Sequence, residues 1–376
     1  MATTNFLYPA HFDPARELAA YNQGYYPIYG PQPLDMSRPP DPKTNPLYGY
    51  NDRLMIAGQQ WGRDYNMSSA LSNNPADGNA LIIVDGNGDF VIPTGALSVP
   101  GAMGDMERVV SWMYRNLDRI DHIVASMDAH YPIQIFHPAF WMDRKNQGKM
   151  PAPFTQILLE NFGKRYNTEY VPDFDEHWVR HYLESLKQTT RQVFDKAGRP
   201  VNISHASKDL TVWPTHTIIG THMQALVPMI ADALIFWTAC RGKNFDIVQK
   251  GINLWTEWYS ILESDVSVPS DPFTLVNANI IDTLMNYKRV FICGWAKSHC
   301  VFETIQSLVW YLKVNAAHLL PNLYLLMDGM SSVGAITLED GTVIDFEKMV
   351  TPQYLQWQSE GLNLVYTTDN NGLIAA

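Results

Sequence analysis

From Leu81 onward, short apolar runs alternate with stretches whose apolar residues recur at helical spacing. This alternation is typical of βαβ units, in which helices connect neighbouring parallel strands. The runs that predict strands are residues 81–84, 122–126, 246–249, 289–293, 322–327 and 362–367. The intervening stretches predict helices at 105–117, 223–240, 273–285, 299–316 and 346–359. The pattern therefore predicts an α/β fold with a doubly wound, six-stranded, mostly parallel sheet between two layers of helices.

Two regions lack this alternation. Residues 1–75 are rich in Pro and Tyr and show no sustained period, so we expect an extended arm that packs on the main domain or on a neighbouring subunit. We also expect a homo-oligomer. Within the main domain, 76–376, residues 141–210 are too long for a simple connection and predict an inserted cap. The cap contains an amphipathic pattern at 176–194, which predicts a helix.

Composition and charge narrow the classes of function. With 46% hydrophobic residues the chain can bury a large core, and its net charge of -11 disfavours a nucleic-acid partner. The sequence contains no leader-like start and no apolar stretch long enough to cross a membrane, so we expect a cytoplasmic protein without a membrane partner. Its three cysteines have irregular spacing, which predicts free thiols. A small molecule is the expected partner.

Candidate chemistry lies at the carboxyl ends of the predicted strands, where open parallel sheets bind their ligands. An acid, Asp85, an amine, Lys250, and a thiol, Cys300, follow three different strands. Taken singly, each residue would more often cap a turn, face solvent or pack in the core. Cys300, however, begins a predicted helix, where the thiolate is stabilised and free N–H groups can bind an oxyanion. The three residues together predict a nucleophilic site.

A second group has the chemistry of metal ligands. Asp128 and His130 lie two residues apart after a strand, and His216 follows in the stretch WPTH. Carboxylate and imidazole ligands suit Zn, Fe or Mn, and three protein ligands leave positions open for catalysis. We therefore predict a divalent metal, with zinc first. His137 lies nearby but is not assigned as a ligand.

These residues lie in stretches that resemble the isochorismatase-like cysteine hydrolases, and among them most closely the nicotinamidases. The resemblance covers about residues 79–328 in family order. The matching stretches are LIIVDGNGDFVIPTGALSV, VASMDAHYPIQIFHPAF, VWPTH with GTHMQAL, VQKGINLWTEWYS and FICGWAKSHCVFETI. The arm and the inserted cap lie outside it.

The resemblance implies a role for each matching position. Asp85 matches the family's general base, Lys250 its catalytic lysine and Cys300 its nucleophile. Asp128, His130 and His216 match its metal ligands. The backbone N–H groups of Ala296 and Cys300 match its oxyanion hole, with a cis peptide bond between Trp295 and Ala296. The aromatic residues that match or extend the walls of its nicotinamide pocket are Phe90, Trp213 and Tyr259.

The function implied is cleavage of the carboxamide C–N bond of a small aromatic amide through a thioester, with nicotinamide as the first candidate. Departures from the family pattern bear on the substrate. Asn87 stands where the family usually has Gln, His137 stands farther from His130 than the family's next His, and Trp255 and Trp258 are bulkier than the usual residues. Three alternatives remain open. They are an isochorismatase-type vinyl-ether hydrolase, a hydrolase of ureido or carbamoyl groups, and a small-molecule binding protein without turnover.

Overall fold

The central sheet of the protein, as a computed structural model gives it, has six strands that are all parallel. The structure describes residues 9, 12–13, 50–67, 74–168 and 175–368. The strands, numbered along the chain, are β1 Asn79–Val84, β2 His122–Asp128, β3 Asp246–Lys250, β4 Arg289–Gly294, β5 Leu323–Leu326 and β6 Asn363–Val365. Each of the six predicted strands is present, and the predicted α/β fold is confirmed.

The order of strands across the sheet is β6–β5–β4–β1–β2–β3. The chain thus moves outward from β1 in one direction and then returns to build the other half from β4. A crevice opens where this direction changes, beyond the carboxyl ends of β1 and β4. The register sets Val84 beside Gly294 and Asp128 beside Lys250, so the residues that end four strands are brought to one edge.

Helices cover both faces of the sheet. Alternate residues of β1 point to opposite sides, and Leu81 and Ile83 belong to a different core cluster from Ile82 and Val84. The helices are α1 Tyr50–Asp64, α2 Gly88–Val91, α3 Ala102–Arg115, α4 Glu176–Leu186, α5 Pro228–Arg241, α6 Ala278–Leu284, α7 Cys300–Asn315 and α8 Phe346–Ser359. The first core cluster includes α3 and α5, and the second includes α6, α7 and α8. Among the described helices, no membrane-spanning candidate is found.

Three helix predictions need correction. The helix predicted at 223–240 begins only at Pro228, where the fixed φ of proline suits the first helical position. The helix predicted at 273–285 is divided into a 3-10 turn, Pro272–Thr274, and α6, which starts after the Asn277 cap. In the cap, the amphipathic pattern at 176–194 gives a helix only as far as Leu186.

The remainder of that cap pattern forms a hairpin. Thr190–Phe194 pairs antiparallel with Pro200–Ser204, and its burial alternates as in a strand with one face towards the protein. Further short strand pairs lie in the cap and in the C-terminal part of the chain. They are Met142–Asp143 with Tyr166–Asn167, Gln156–Ile157 with Leu210–Thr211, and Ile336–Thr337 with Val343–Ile344.

Most of the described part of the predicted arm is helical. Helix α1 replaces the extended chain expected at Tyr50–Asp64. It packs on α5, with the Cys240 thiol 3.2 Å from the carbonyl of Gly58. Tertiary packing on the apolar α5 stabilises a helix for which the sequence showed no clear period. Most of the other arm residues lie outside the described ranges, and the domain boundaries stay a prediction.

A buried arginine connects this N-terminal region to the core. The Arg241 guanidinium donates to the carbonyl of Met67 at 2.6 Å and to Asp121 at 2.9 Å. Arg241→Met is expected to lower the free energy of unfolding by about 3 kcal/mol, because it leaves the buried Asp121 without its cation. Chemical denaturation measures the change. Lys348→Met, which removes an exposed i,i+3 pair, should leave the free energy of unfolding almost unchanged, and equal losses in both variants would contradict the prediction.

Candidate active site

Asp85 immediately follows β1 and is fully buried. Its φ of 50° lies in the left-handed region, which Asp tolerates better than most residues. Ser126 on the neighbouring strand holds this conformation: its Oγ accepts the Asp85 N–H at 2.8 Å and donates to Asp85 Oδ1 at 2.6 Å. Burial raises the pKa of the Asp85 carboxyl above its ordinary value, with Lys250 opposing the rise. The carboxylate is therefore a stronger base than one in water.

Lys250, the last residue of β3, has its ammonium at the centre of the site. Nζ lies 2.9 Å from Asp85 Oδ2, 2.9 Å from Asp128 Oδ1 and 2.9 Å from the carbonyl of Trp258. Burial alone would lower the pKa of Lys250, but the two carboxylates outweigh it and hold the pKa well above its ordinary value. The residue is a permanent cation between two acids.

Cys300 is the first residue of α7, so its N–H has no acceptor within the helix. Its Sγ lies 3.6 Å from Lys250 Nζ. Burial raises the pKa of the thiol well above its ordinary value, and the ammonium opposes this effect. The thiol is therefore protonated at rest and becomes a nucleophile only when a neighbouring base takes its proton.

The turn that leads to Cys300 requires glycine. Gly294 ends β4 with a φ of 125°, and a Cβ there would stand 2.1 Å from the carbonyl oxygen of Val84. The close approach of β4 to β1 aligns the residues that follow the two strands. The cis peptide bond predicted between Trp295 and Ala296 is present, and Ala296 lines the same pocket as Cys300.

The three predicted metal ligands lie together beside this group. The Nε2 atoms of His130 and His216 are 2.7 and 3.6 Å from Asp128 Oδ2, and one ligand atom from each residue falls within 4.8 Å of the others. The Nδ1 atoms of His130 and His216 face backbone carbonyls at 3.1 and 2.7 Å. Each Nε2 therefore keeps a lone pair for a cation. This donor set fits a divalent metal.

A second glycine makes room for His130, one of the three candidate metal ligands. Gly251 follows Lys250 with a φ of 84°, and a Cβ there would stand 2.4 Å from His130 Cε1. The carbonyl of Gly251 is the partner of His130 Nδ1. Lys250 and Gly251 are adjacent, so this short segment positions both the buried ammonium and the His130 imidazole.

His137, left unassigned from the sequence, lies with the other two imidazoles. Its ring centroid is 5.5 Å from those of His130 and His216. Its Nδ1 faces the carbonyl of Tyr131 at 3.1 Å, and its buried Nε2 has no hydrogen-bond partner among the described residues. Burial lowers the pKa of His137 to about 2. A neutral imidazole with an unused lone pair at this place has the chemistry of a fourth ligand.

His137→Ala is expected to weaken metal binding at least about tenfold, because it removes one donor from the group. Equilibrium dialysis followed by elemental analysis measures bound metal at fixed free metal concentration. His122→Ala is the matched control, since this half-buried His starts β2 at the opposite end of the sheet. Equal metal affinity in the two variants would remove His137 from the site.

Aromatic side chains form the walls of the pocket in front of Cys300. Phe90, Trp213 and Tyr259 all line it, and the Trp213 indole N–H donates to the Tyr259 hydroxyl at 2.7 Å. His299 adds a ring 4.9 Å from that of Trp213. A planar ring could stack between such walls.

Glu257 is a buried pocket residue that the sequence analysis did not identify. Burial raises the pKa of its carboxyl to about 8, and the carboxyl accepts the Trp258 N–H at 2.8 Å. Nothing in the sequence distinguishes Glu257 from a solvated acid in a loop. Glu257 comes seven residues after Lys250, and it reaches the pocket only because the loop between them folds back over the site.

The arrangement brings a base, a cation and a thiol into contact, next to a metal-binding group and beneath an aromatic slot. No protein-family model and no curated protein sequence matches the chain.

Solved structures do match. The yeast nicotinamidase Pnc1p bound to the inhibitor nicotinaldehyde matches with a TM-score of 0.46 and 18% identity, over 77% of this chain and 99% of that chain. An Acinetobacter baumanii nicotinamidase/pyrazinamidase matches with a TM-score of 0.46 and 17% identity, over 78% and 98% of the two chains. An isochorismatase-like hydrolase from Alkaliphilus metalliredigens matches with a TM-score of 0.35 and 13% identity, over 77% and 95%.

Proposed function

We propose that this protein is a metal-dependent cysteine amidohydrolase that cleaves the carboxamide C–N bond of a small aromatic amide. One observation carries the proposal. Lys250 Nζ lies 2.9 Å from the Asp85 carboxylate and 3.6 Å from Cys300 Sγ, at the start of a helix and beside an Asp–His–His group. A buried base, a thiol and a fixed positive charge are the parts that covalent amide hydrolysis needs.

The first step forms the carbon–sulfur bond. Asp85 takes the proton of Cys300, and the resulting thiolate attacks the carboxamide carbon. The Lys250 ammonium stays charged and offsets the negative charge while the proton moves. The carbonyl oxygen becomes an oxyanion, which the backbone N–H groups of Ala296 and Cys300, two residues that line the pocket, would bind.

The second step breaks the carbon–nitrogen bond. When the tetrahedral intermediate collapses, protonated Asp85 gives its proton to the nitrogen, and ammonia leaves. Cys300 then holds the acyl group as a thioester. Asp85 takes a proton from a water molecule that attacks this thioester, and the carbon–sulfur bond breaks. The carboxylic acid departs, and the proton returns to the thiol.

Asp128, His130 and His216 would hold the metal, with His137 as a further donor. Held by these residues, a divalent metal would act as a Lewis acid toward a ring nitrogen of the substrate or a water molecule. The nitrogen and oxygen donors suit zinc first, and iron or manganese next. Phe90 and Trp213 would flank the substrate ring, so that its carboxamide points to Cys300.

The proposal is tested with purified, metal-loaded protein and a panel of small aromatic carboxamides that starts with nicotinamide. We expect release of ammonia with an equal amount of the carboxylic acid. Ureido and carbamoyl compounds and a vinyl ether of isochorismate type complete the panel, because they represent the other reactions considered. Turnover of the vinyl ether alone, or of no compound, would contradict the amidohydrolase.

A further inference from the structure

A second cavity lies next to the pocket in front of Cys300. It has a volume of about 470 Å³, whereas the pocket itself has about 20 Å³. Glu257, Tyr259 and His299 line both spaces. His299 is the residue before the nucleophile, so the large cavity opens beside the reacting thiol. The pocket at Cys300 is the smaller of the two spaces, and the adjoining cavity could take another part of a substrate.

The inserted cap builds one side of this cavity. Residues 203–211, from the cap hairpin to the return of the chain, all contribute to its lining. The opposite side comes from α7 and α8, where Phe302, Val309 and Trp357 present apolar surface. A methylene chain would lose water-exposed area against these side chains. The cap thus encloses space along the helix that starts with Cys300.

The charges at the cavity favour a cation. Lys208 of the cap lies 2.9 Å from Asp265 and 3.0 Å from Glu303, and its Nζ stands 5.2 Å from the ring centre of Tyr259. The three charged groups carry one net negative charge when all are ionised. The ion pairs that lie next to these groups are balanced: Asp209 with Lys187, Lys313 with Glu360, and Arg191, which stacks on the cavity residue Trp310, with Glu263. An ammonium group in the cavity would offset the remaining charge.

We propose that the substrate is larger than a single-ring amide: its carboxamide enters the pocket at Cys300, and a flexible chain that ends in a cation occupies the cap cavity. This inference rests on the proposed amidohydrolase function. It gives the cap a purpose, namely recognition of the part of the substrate remote from the reacting carbon. The chain could extend from the amide nitrogen or from the acyl ring, and both would use the same cavity.

Two substrate series test the inference with the metal-loaded enzyme. In one, nicotinamide carries an aminoalkyl chain on the amide nitrogen, and release of the amine is measured. In the other, the chain is on the ring and release of ammonia is measured. Chains of equal length ending in a methyl or a carboxylate are the comparison compounds. In at least one of the two series, kcat/KM for the compound with the ammonium-ended chain should exceed kcat/KM for nicotinamide and for the compound with the carboxylate-ended chain by about tenfold.

A variant that fills the cavity shows where the chain binds. Gln353→Trp adds bulk to the α8 side of the cavity and should lower the ratio of kcat/KM for the favoured long amide to that for nicotinamide about tenfold. Gln358→Trp, on the exposed face of the same helix, should leave the ratio unchanged. Turnover of nicotinamide without any preference for a chain in either series would overturn this inference and leave the amidohydrolase intact. If no amide reacts, both proposals fail.

Discussion

Replacing Cys300 by Ala is expected to lower ammonia release by at least about 10⁴-fold, because the carbon–sulfur bond can no longer form. The metal-binding residues lie on other segments, so metal content should be unchanged. The fold should survive as well, since the loss of one sulfur atom at a buried site costs only about 1 kcal/mol. A coupled assay for ammonia, with elemental analysis of the same sample, measures both properties.

Cys293→Ala is the matched control. Cys293 is equally buried, seven residues earlier in β4, with its Sγ 3.5 Å from the carbonyl of Ile82. This variant should lose a similar amount of stability and keep its kcat. If Cys300→Ala retained activity, the proposed nucleophile would be wrong, and a route in which Asp85 alone activates water would replace it.

Asp85→Asn should lower kcat by about 10²–10⁴-fold, the usual contribution of a general base. The amide has nearly the shape of the carboxylate and can still receive the Ser126 hydroxyl hydrogen bond, so geometry is preserved. Asn, however, does not take the thiol proton at neutral pH. The loss should appear in kcat and kcat/KM together, since the missing interaction belongs to the transition state.

Asp121→Asn controls for removal of a buried acid. Asp121 pairs with Arg241 at the opposite end of the sheet, so its loss should reduce stability and leave kcat unchanged. Lys250 offers an independent check. Lys250→Met leaves Asp85 and Asp128 without their shared cation, whereas Lys250→Arg keeps the charge and should retain more of the stability. Full activity in Asp85→Asn would contradict the proposed base.

The sheet could be predicted from the sequence because buried parallel strands are continuous apolar runs. The run at 79–84 is buried at every position and pairs on both sides, so its pattern has one structural reading. The ends of these strands carry the site, and Asp85, Lys250 and Cys300 follow from that rule. The cap pattern at 176–194 was harder, because a helix and a strand follow each other within one amphipathic stretch.

The parts that could not be predicted depend on contacts between distant segments. Helix α1 forms on the surface of α5, nearly two hundred residues later in the chain. Glu257 becomes a pocket residue only because its loop folds over Asp128 and His216, and His137 reaches His130 through the loop that connects the two residues. The cavity beneath the cap is lined by three segments that are distant in sequence, and no pattern in the sequence predicts that they meet.

The most direct test of the central claim is to trap the covalent intermediate. The metal-loaded enzyme is mixed with an excess of a reactive carboxamide, quenched in acid within one turnover and digested, and the peptide that contains Cys300 is examined by mass spectrometry. The account predicts an acyl group on Cys300 that hydroxylamine removes and that is absent from Cys293 and Cys240. Two results together would contradict the proposed thioester: Cys300 stays unmodified during amide turnover even when deacylation is slow, and Cys300→Ala turns over the amide at the same rate.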